Sequence, residues 1–168
     1  MNSTLLINIF RFVILLLLQV VLFNNIELFS FVSPYPYVLF ILIYPLNTNR
    51  AVLITVSFIL GVILDAFNNS GGVHAAACVS LAYFREHFLK FSFGISYEYH
   101  MMRITEKIST ELITYLSISI IFHHLILFAL EIFNPLFTLE ILLRTISSSI
   151  LSLLFIIIII FLIKPAKK

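Results

Sequence analysis

The chain has 168 residues, of which 61% are hydrophobic and 11% charged, with a formal net charge of +2. Soluble globular domains run at about 45–50% apolar and about 25% charged. A water-soluble core of this length cannot hide the surplus, so the composition excludes a soluble domain and points to a single domain, residues 1–168, dissolved in lipid. Unbroken apolar runs at 15–18 and 155–163 replace the polar–apolar alternation of a barrel strand. The expected fold is therefore an all-α integral membrane bundle. The single Cys78 excludes an intramolecular disulfide and a CxxC site.

Polar, Gly and Pro clusters divide the chain into six predicted helices, at about 5–23, 36–46, 50–66, 73–90, 100–131 and 139–163. The first apolar run leads into Asn24-Asn25-Ile26-Glu27 with no small-x-small pattern, which argues against a cleaved signal peptide. The second helix follows Ser33-Pro34-Tyr35 and ends near Pro45. It is short against the roughly 20 residues a span needs. A kinked hairpin of the second and third helices, leaving four spans, is the alternative.

Sorting the charges supports six spans. One side receives Arg50, Arg85, Lys90, Arg103, Lys107, Lys164, Lys167 and Lys168. The other receives Glu27, Asp65, Glu131 and Glu140. The positive side is cytoplasmic, which places both termini there. Tyr35 and Tyr37 then fit the outer interface, and Tyr44 and Tyr83 the inner one. The stretch 85–107 reads as a cytoplasmic loop, lying on the lipid interface or docking a partner. The basic tail is an orientation signal that also meets anionic lipid.

Ionisable groups inside spans are costly and should face protein. Asn8, Arg11 and Gln19 share one helical face, an inward stripe. Arg11 is expected to pair with Glu111, with Glu106 also in reach, or else to reach lipid headgroups. Near the outer face, Asp65 has two possible roles. It pairs with Arg144, or it accepts backbone N–H bonds from the turn Asn68-Asn69-Ser70-Gly71-Gly72 and the start of the fourth helix. Gly71 and Gly72 can take positive φ there. The small residues that follow (Ala75, Ala76, Ala77, Cys78, Ser80, Ala82) allow close helix approach. Thr145, Ser148, Ser149 and Ser152 form a second small stripe, and Thr110, Thr114, Ser117 and His124 a third. All three read as packing.

Chemistry is sparse. His74 and Cys78 lie at i, i+4 without a third ligand of fitting spacing, and His123 and His124 diverge by about 100° around a helix. No metal site is expected. Asp65, Ser70 and His74 resemble a catalytic set only by proximity in sequence, so no catalytic residue is expected. With no phosphate-binding glycine loop and no basic aromatic platform, neither a cofactor nor nucleic acid is implied.

The stretch "LGVILDAFNNSGGVHAAA", with "RFVILLLLQVVLFNNIELF" and "PYPYVLFILIYPL" before it, resembles the MreD family of bacterial rod-shape-determining membrane proteins. The resemblance covers almost the whole chain, including a G-x-x-x-D … G-x-x-A corner at Gly61, Asp65, Gly72 and Ala75. It implies a non-enzymatic scaffold in the bacterial cytoplasmic membrane. Such a scaffold binds a bitopic MreC-like protein and, indirectly, the MreB filament, RodA and a class B transpeptidase. It also implies a fold similar to the substrate-binding subunits of energy-coupling vitamin transporters, and such a subunit is the alternative function. The residues expected to dock the partner are Gly61, Asp65, Gly71, Gly72, His74, Ala75 and Ala76.

Overall fold

The computed structural model describes residues 3–26, 28, 31–46, 48–94 and 109–163. Helix α1 (Ser3–Leu17) continues as a π turn (Leu18–Leu22) and a 3₁₀ turn (Phe23–Asn25). Then follow α2 (Val38–Leu42), α3 (Arg50–Asn68), α4 (Val73–Phe93), α5 (Thr110–Ile132), a 3₁₀ turn (Pro135–Phe137) and α6 (Thr138–Ile163). Among the described residues there is no strand, only an isolated bridge between Leu28 and Val32.

Among the described residues, four stretches are long and apolar enough to cross a membrane: Leu5–Asn25, Arg50–Asn68, Thr110–Ile132 and Pro135–Ile163. The 21-residue α4 is comparable in length but less apolar, since it carries Arg85, Glu86 and Lys90. It packs along α3 on one side and α5 on the other. A helix sheltered in this way needs less apolar surface than one facing lipid. Helix α6 packs on α5, whereas α1 lies at the edge with most of its apolar side chains exposed.

The helix ends have local causes. The Asn49 side chain accepts the Ala51 N–H at 2.9 Å and starts α3. Asn69 stops it in the left-handed conformation, at φ 53°. Ser109 caps α5 by accepting from Leu112 at 3.3 Å. Asn134 accepts from Leu136 at 3.0 Å and opens the turn into α6. Five of the six predicted helices thus appear near their expected places. The predicted start of the fifth, at about 100, lies outside the described residues, as do Glu27, Arg103, Glu106, Lys107 and the basic tail.

The second helix is the correction. It is five residues long, not the eleven expected between 36 and 46. Each proline disfavours helical backbone in the residue before it, so Pro34 and Pro36 keep the approach extended. Pro45 follows soon after the helix ends. What the segment lacks in helix it has in burial: residues 37–42 are 0–2% exposed. Tyr35 packs near His74, with ring centroids 6.1 Å apart, while the Tyr44 carbonyl reaches Arg85. His74 and Arg85 are separated by about 16 Å along α4, at 1.5 Å rise per residue. The segment therefore runs beside α4 through the middle of the bundle. Non-helical backbone at such depth is tolerated only where protein surrounds it.

Candidate functional site: the Asp65 corner and the buried polar core

The turn between α3 and α4 is a tightly specified corner. Helices α3 and α4 meet where Gly61 faces Ala75. A Cβ at Gly61 would stand 2.6 Å from the Ala75 nitrogen and 2.8 Å from the His74 carbonyl carbon. Only glycine permits that approach. The chain then turns through Gly71 and Gly72 at φ 66° and 101°, a region that L side chains rarely enter.

Asp65 closes the corner. Its Oδ1 accepts the His74 N–H and its Oδ2 the Ala75 N–H, both at 2.9 Å. These are among the amides at the start of α4 that have no partner within the helix. The carboxylate thus caps α4 from the preceding helix, at the end where the helix dipole favours negative charge. The Ser70 hydroxyl donates to the same Oδ1 at 2.6 Å. The expected Asp65–Arg144 pair is not formed. Arg144 instead meets Glu140, one turn before it on α6, at 2.9 Å, and Glu131 at the end of α5 at 3.7 Å. Both carboxylates lie beside Arg144 at the α5–α6 turn, and Asp65 is already engaged by amides.

Ser70, Asp65 and His74 do come together, but not as a proton relay. A relay needs the hydroxyl on one imidazole nitrogen and the carboxylate on the other. Here Nδ1 of His74 faces both, at 3.0 Å from Ser70 Oγ and 3.2 Å from Asp65 Oδ1. The Ser70 hydrogen is directed to Asp65, so this pattern gives Nδ1 the imidazole hydrogen. Nε2 is buried and has no partner among the described residues. Ala76 sits half-buried two residues beyond His74, its amide on the Gly72 carbonyl at 3.0 Å.

Behind the corner lies a buried polar core that serves the extended approach to α2. The Ser33 and Tyr35 amides donate to Ser148 Oγ and Ser152 Oγ, at 3.3 and 2.8 Å. Pro34 O accepts from Gln19 Nε2 at 3.2 Å. The Tyr37 hydroxyl meets His123 Nε2 at 3.2 Å. His124 meets Ser149 at 3.0 Å and Ser152 at 3.4 Å. At the other end of the segment, Leu42 O accepts from Arg85 Nη2 and from the Tyr115 hydroxyl, both at 3.1 Å. Arg85 also donates to Tyr44 O and to the Tyr115 hydroxyl. Arg85 was expected in a cytoplasmic loop, but it is 4% exposed inside α4. It sits at the C-terminal end of α2, where free carbonyls attract a cation. The small stripe of α6 is more than packing, since two of its serines accept backbone N–H groups.

Of the intramembrane polar residues, Gln19 is buried and also bonds Asn24, which in turn bonds Asn68 at the corner. The π turn at 18–22 carries Gln19 among its residues, a distortion that often occurs where a side chain has a special task. Asn8 and Arg11 are half-buried. The expected Arg11–Glu111 pair is not formed. Glu111 is exposed in the first turn of α5, while α1 packs against α2 and α3. On α5, the buried polar groups are Ser119, His123 and His124, whereas Thr110 is exposed and Thr114 and Ser117 half-buried. Sequence reasoning missed Arg85, Tyr115 and Tyr37 as a group. The available signal was the i, i+4, i+8 spacing of Tyr115, Ser119 and His123, which marks one buried polar face.

Among the described residues, no three His, Cys, Asp or Glu side chains are placed to hold a metal ion. Fold and site together define an all-helical protein with several helices suited to crossing a membrane. No known protein family, characterised protein or solved structure matches the chain.

Proposed function

We propose that this protein is a non-enzymatic scaffold of the bacterial rod-elongation complex, of the MreD type. It crosses the cytoplasmic membrane six times, with both termini in the cytoplasm, and holds the transmembrane helix of a bitopic MreC-like partner. Through that partner it serves the MreB filament, RodA and a class B transpeptidase.

The observation that carries this reading is the filled centre of the bundle. A substrate-binding subunit needs a cavity with converging polar groups. Here the middle is occupied by the protein's own residues 37–42. The polar side chains around it bond the backbone of its extended approach, at Ser33, Pro34 and Tyr35, and the Leu42 carbonyl at its end. The six-pass topology is supported by α4, which runs back along α3, and by the buried segment, which accompanies α4 over much of its length. Partner recognition then falls to the outer helix faces, where shape and small residues decide the fit. The Asp65 corner sets the spacing of α3 and α4, and with it the shape of the face they offer.

Affinity capture of the tagged protein in mild detergent tests this. A bitopic MreC-like protein and elongation enzymes should co-purify with the native chain, and Asp65→Ala should lower that recovery several-fold without preventing membrane insertion. Recovery of a paired ATPase module or a bound vitamin would replace the scaffold with the transporter reading.

A further inference from the structure

Arg11 belongs to the bundle-facing stripe of α1, at i, i+4, i+8 and i+12 with Leu15, Gln19 and Phe23, all three buried. It lies six residues inside the span that starts at Leu5, roughly 9 Å along the helix axis. A guanidinium at that depth stays charged, and such a group is kept within a span only when something accepts its hydrogen bonds. Among the described residues nothing does. No hydrogen bond or ion pair among the described residues engages Arg11, not even with Glu111, the carboxylate best placed by sequence.

Two features say where the acceptor comes from. Side chains on a helix lean toward its N-terminus, so Arg11 reaches back toward the near membrane surface, where lipid phosphates lie. Asn8 is the neighbour on that side at i−3, half-buried on the same stripe, and its amide can donate beside the guanidinium. Helix α1 is also loosely covered by the rest of the bundle, with Ile7, Phe10 and Ile14 open to acyl chains.

We propose that Arg11 and Asn8 form a binding site for the phosphate of an anionic phospholipid, in the leaflet at the N-terminal end of α1. The guanidinium holds the two non-bridging phosphate oxygens and the Asn8 amide donates to one of them, while the acyl chains lie against the exposed face of α1. This inference needs only the membrane setting and is independent of the partner proposed above.

Native mass spectrometry of the whole protein, released from neutral detergent containing phosphatidylglycerol, reads the site directly. The native chain should retain one such lipid, and Arg11→Gln should reduce its occupancy about tenfold. Arg11→Lys should keep part of it, because the charge remains without the planar fork, and Asn8→Ala should show a smaller loss. Excess inorganic phosphate should not displace the lipid, whereas displacement would mean that free phosphate is the ligand. Equal retention by the native chain, Arg11→Gln and Asn8→Ala would overturn the site. So would capture of a protein carboxylate by Arg11 in cross-linking. Arg11→Lys keeps the test decisive if the glutamine variant misfolds.

Discussion

At the scale of single residues, Asp65 and Gly61 do most to define the corner, by opposite means. Asp65 supplies acceptors to two buried amides and a hydroxyl, while Gly61 supplies only the absence of a side chain. Asp65→Ala removes the cap and strands the His74 and Ala75 amides. Loss of a cap costs about 0.5–2 kcal/mol, and because the amides it strands are buried the cost here lies nearer the about 1–3 kcal/mol of an unpaired buried donor. Thermal unfolding in detergent should show a large drop for Asp65→Ala. It should show a smaller one for Asp65→Asn, which keeps one oxygen acceptor but loses the charge. Equal melting of the native chain and Asp65→Ala would mean that the carboxylate does not hold the corner. Gly61→Ala introduces a methyl group against Ala75 backbone, which cannot yield as a side chain tip does. The α3–α4 pair must then part. The expected result is a variant still helical by circular dichroism but less stable by about 1–3 kcal/mol, the usual cost of overpacking.

At the scale of elements, the segment around α2 separates what the sequence makes readable from what it hides. Long helices announce themselves by length and apolar run, so α3, α4 and α6 lie within a few residues of their expected bounds. The corner was readable as well, because its glycines, its carboxylate and the amides it caps are within about a dozen residues of one another. The role of Arg85 was not readable. Its partners are Leu42, Tyr44 and Tyr115, brought near only by the packing of α2, α4 and α5. The same holds for Ser148 and Ser152, whose backbone partners are more than a hundred residues away. A sequence shows that such polar groups are present in a span but not which backbone they serve. The pairing makes a prediction. Tyr115→Phe removes one of two donors to the Leu42 carbonyl and should cost about 1 kcal/mol. Arg85→Met strips the cation from the end of α2 and should cost more. Because the two side chains share one acceptor and bond each other, the double variant should fall short of the sum. Strict additivity in thermal unfolding would show that they act independently.

At the scale of the whole molecule, membrane topology follows from how the segments run past one another. Helices α3 and α4 are antiparallel, joined by the four-residue corner 69–72, so Arg50 and Tyr83 lie together at the far end from Asn69. The Arg50 side chain bonds the Tyr83 carbonyl at 2.7 Å and covers its ring. Such an Arg–Tyr pair suits a membrane–water interface. Glu86, His87 and Lys90 follow on the last turns of α4, with Glu86 and Lys90 paired at 2.6 Å. The exposed corner residue Asn69 and the exposed His87 should therefore face opposite compartments, with the basic one cytoplasmic. Single cysteines at these positions decide the matter, since the native Cys78 is buried and should not compete. In intact cells, a membrane-impermeant maleimide should label Asn69→Cys, and should label His87→Cys only after the membrane is opened. Labelling of both from outside would mean that α4 does not cross, and the six-span topology would fall. The reverse pattern would keep six crossings but turn the protein over, putting the Asp65 corner in the cytoplasm and removing it as a contact for an outward-facing partner.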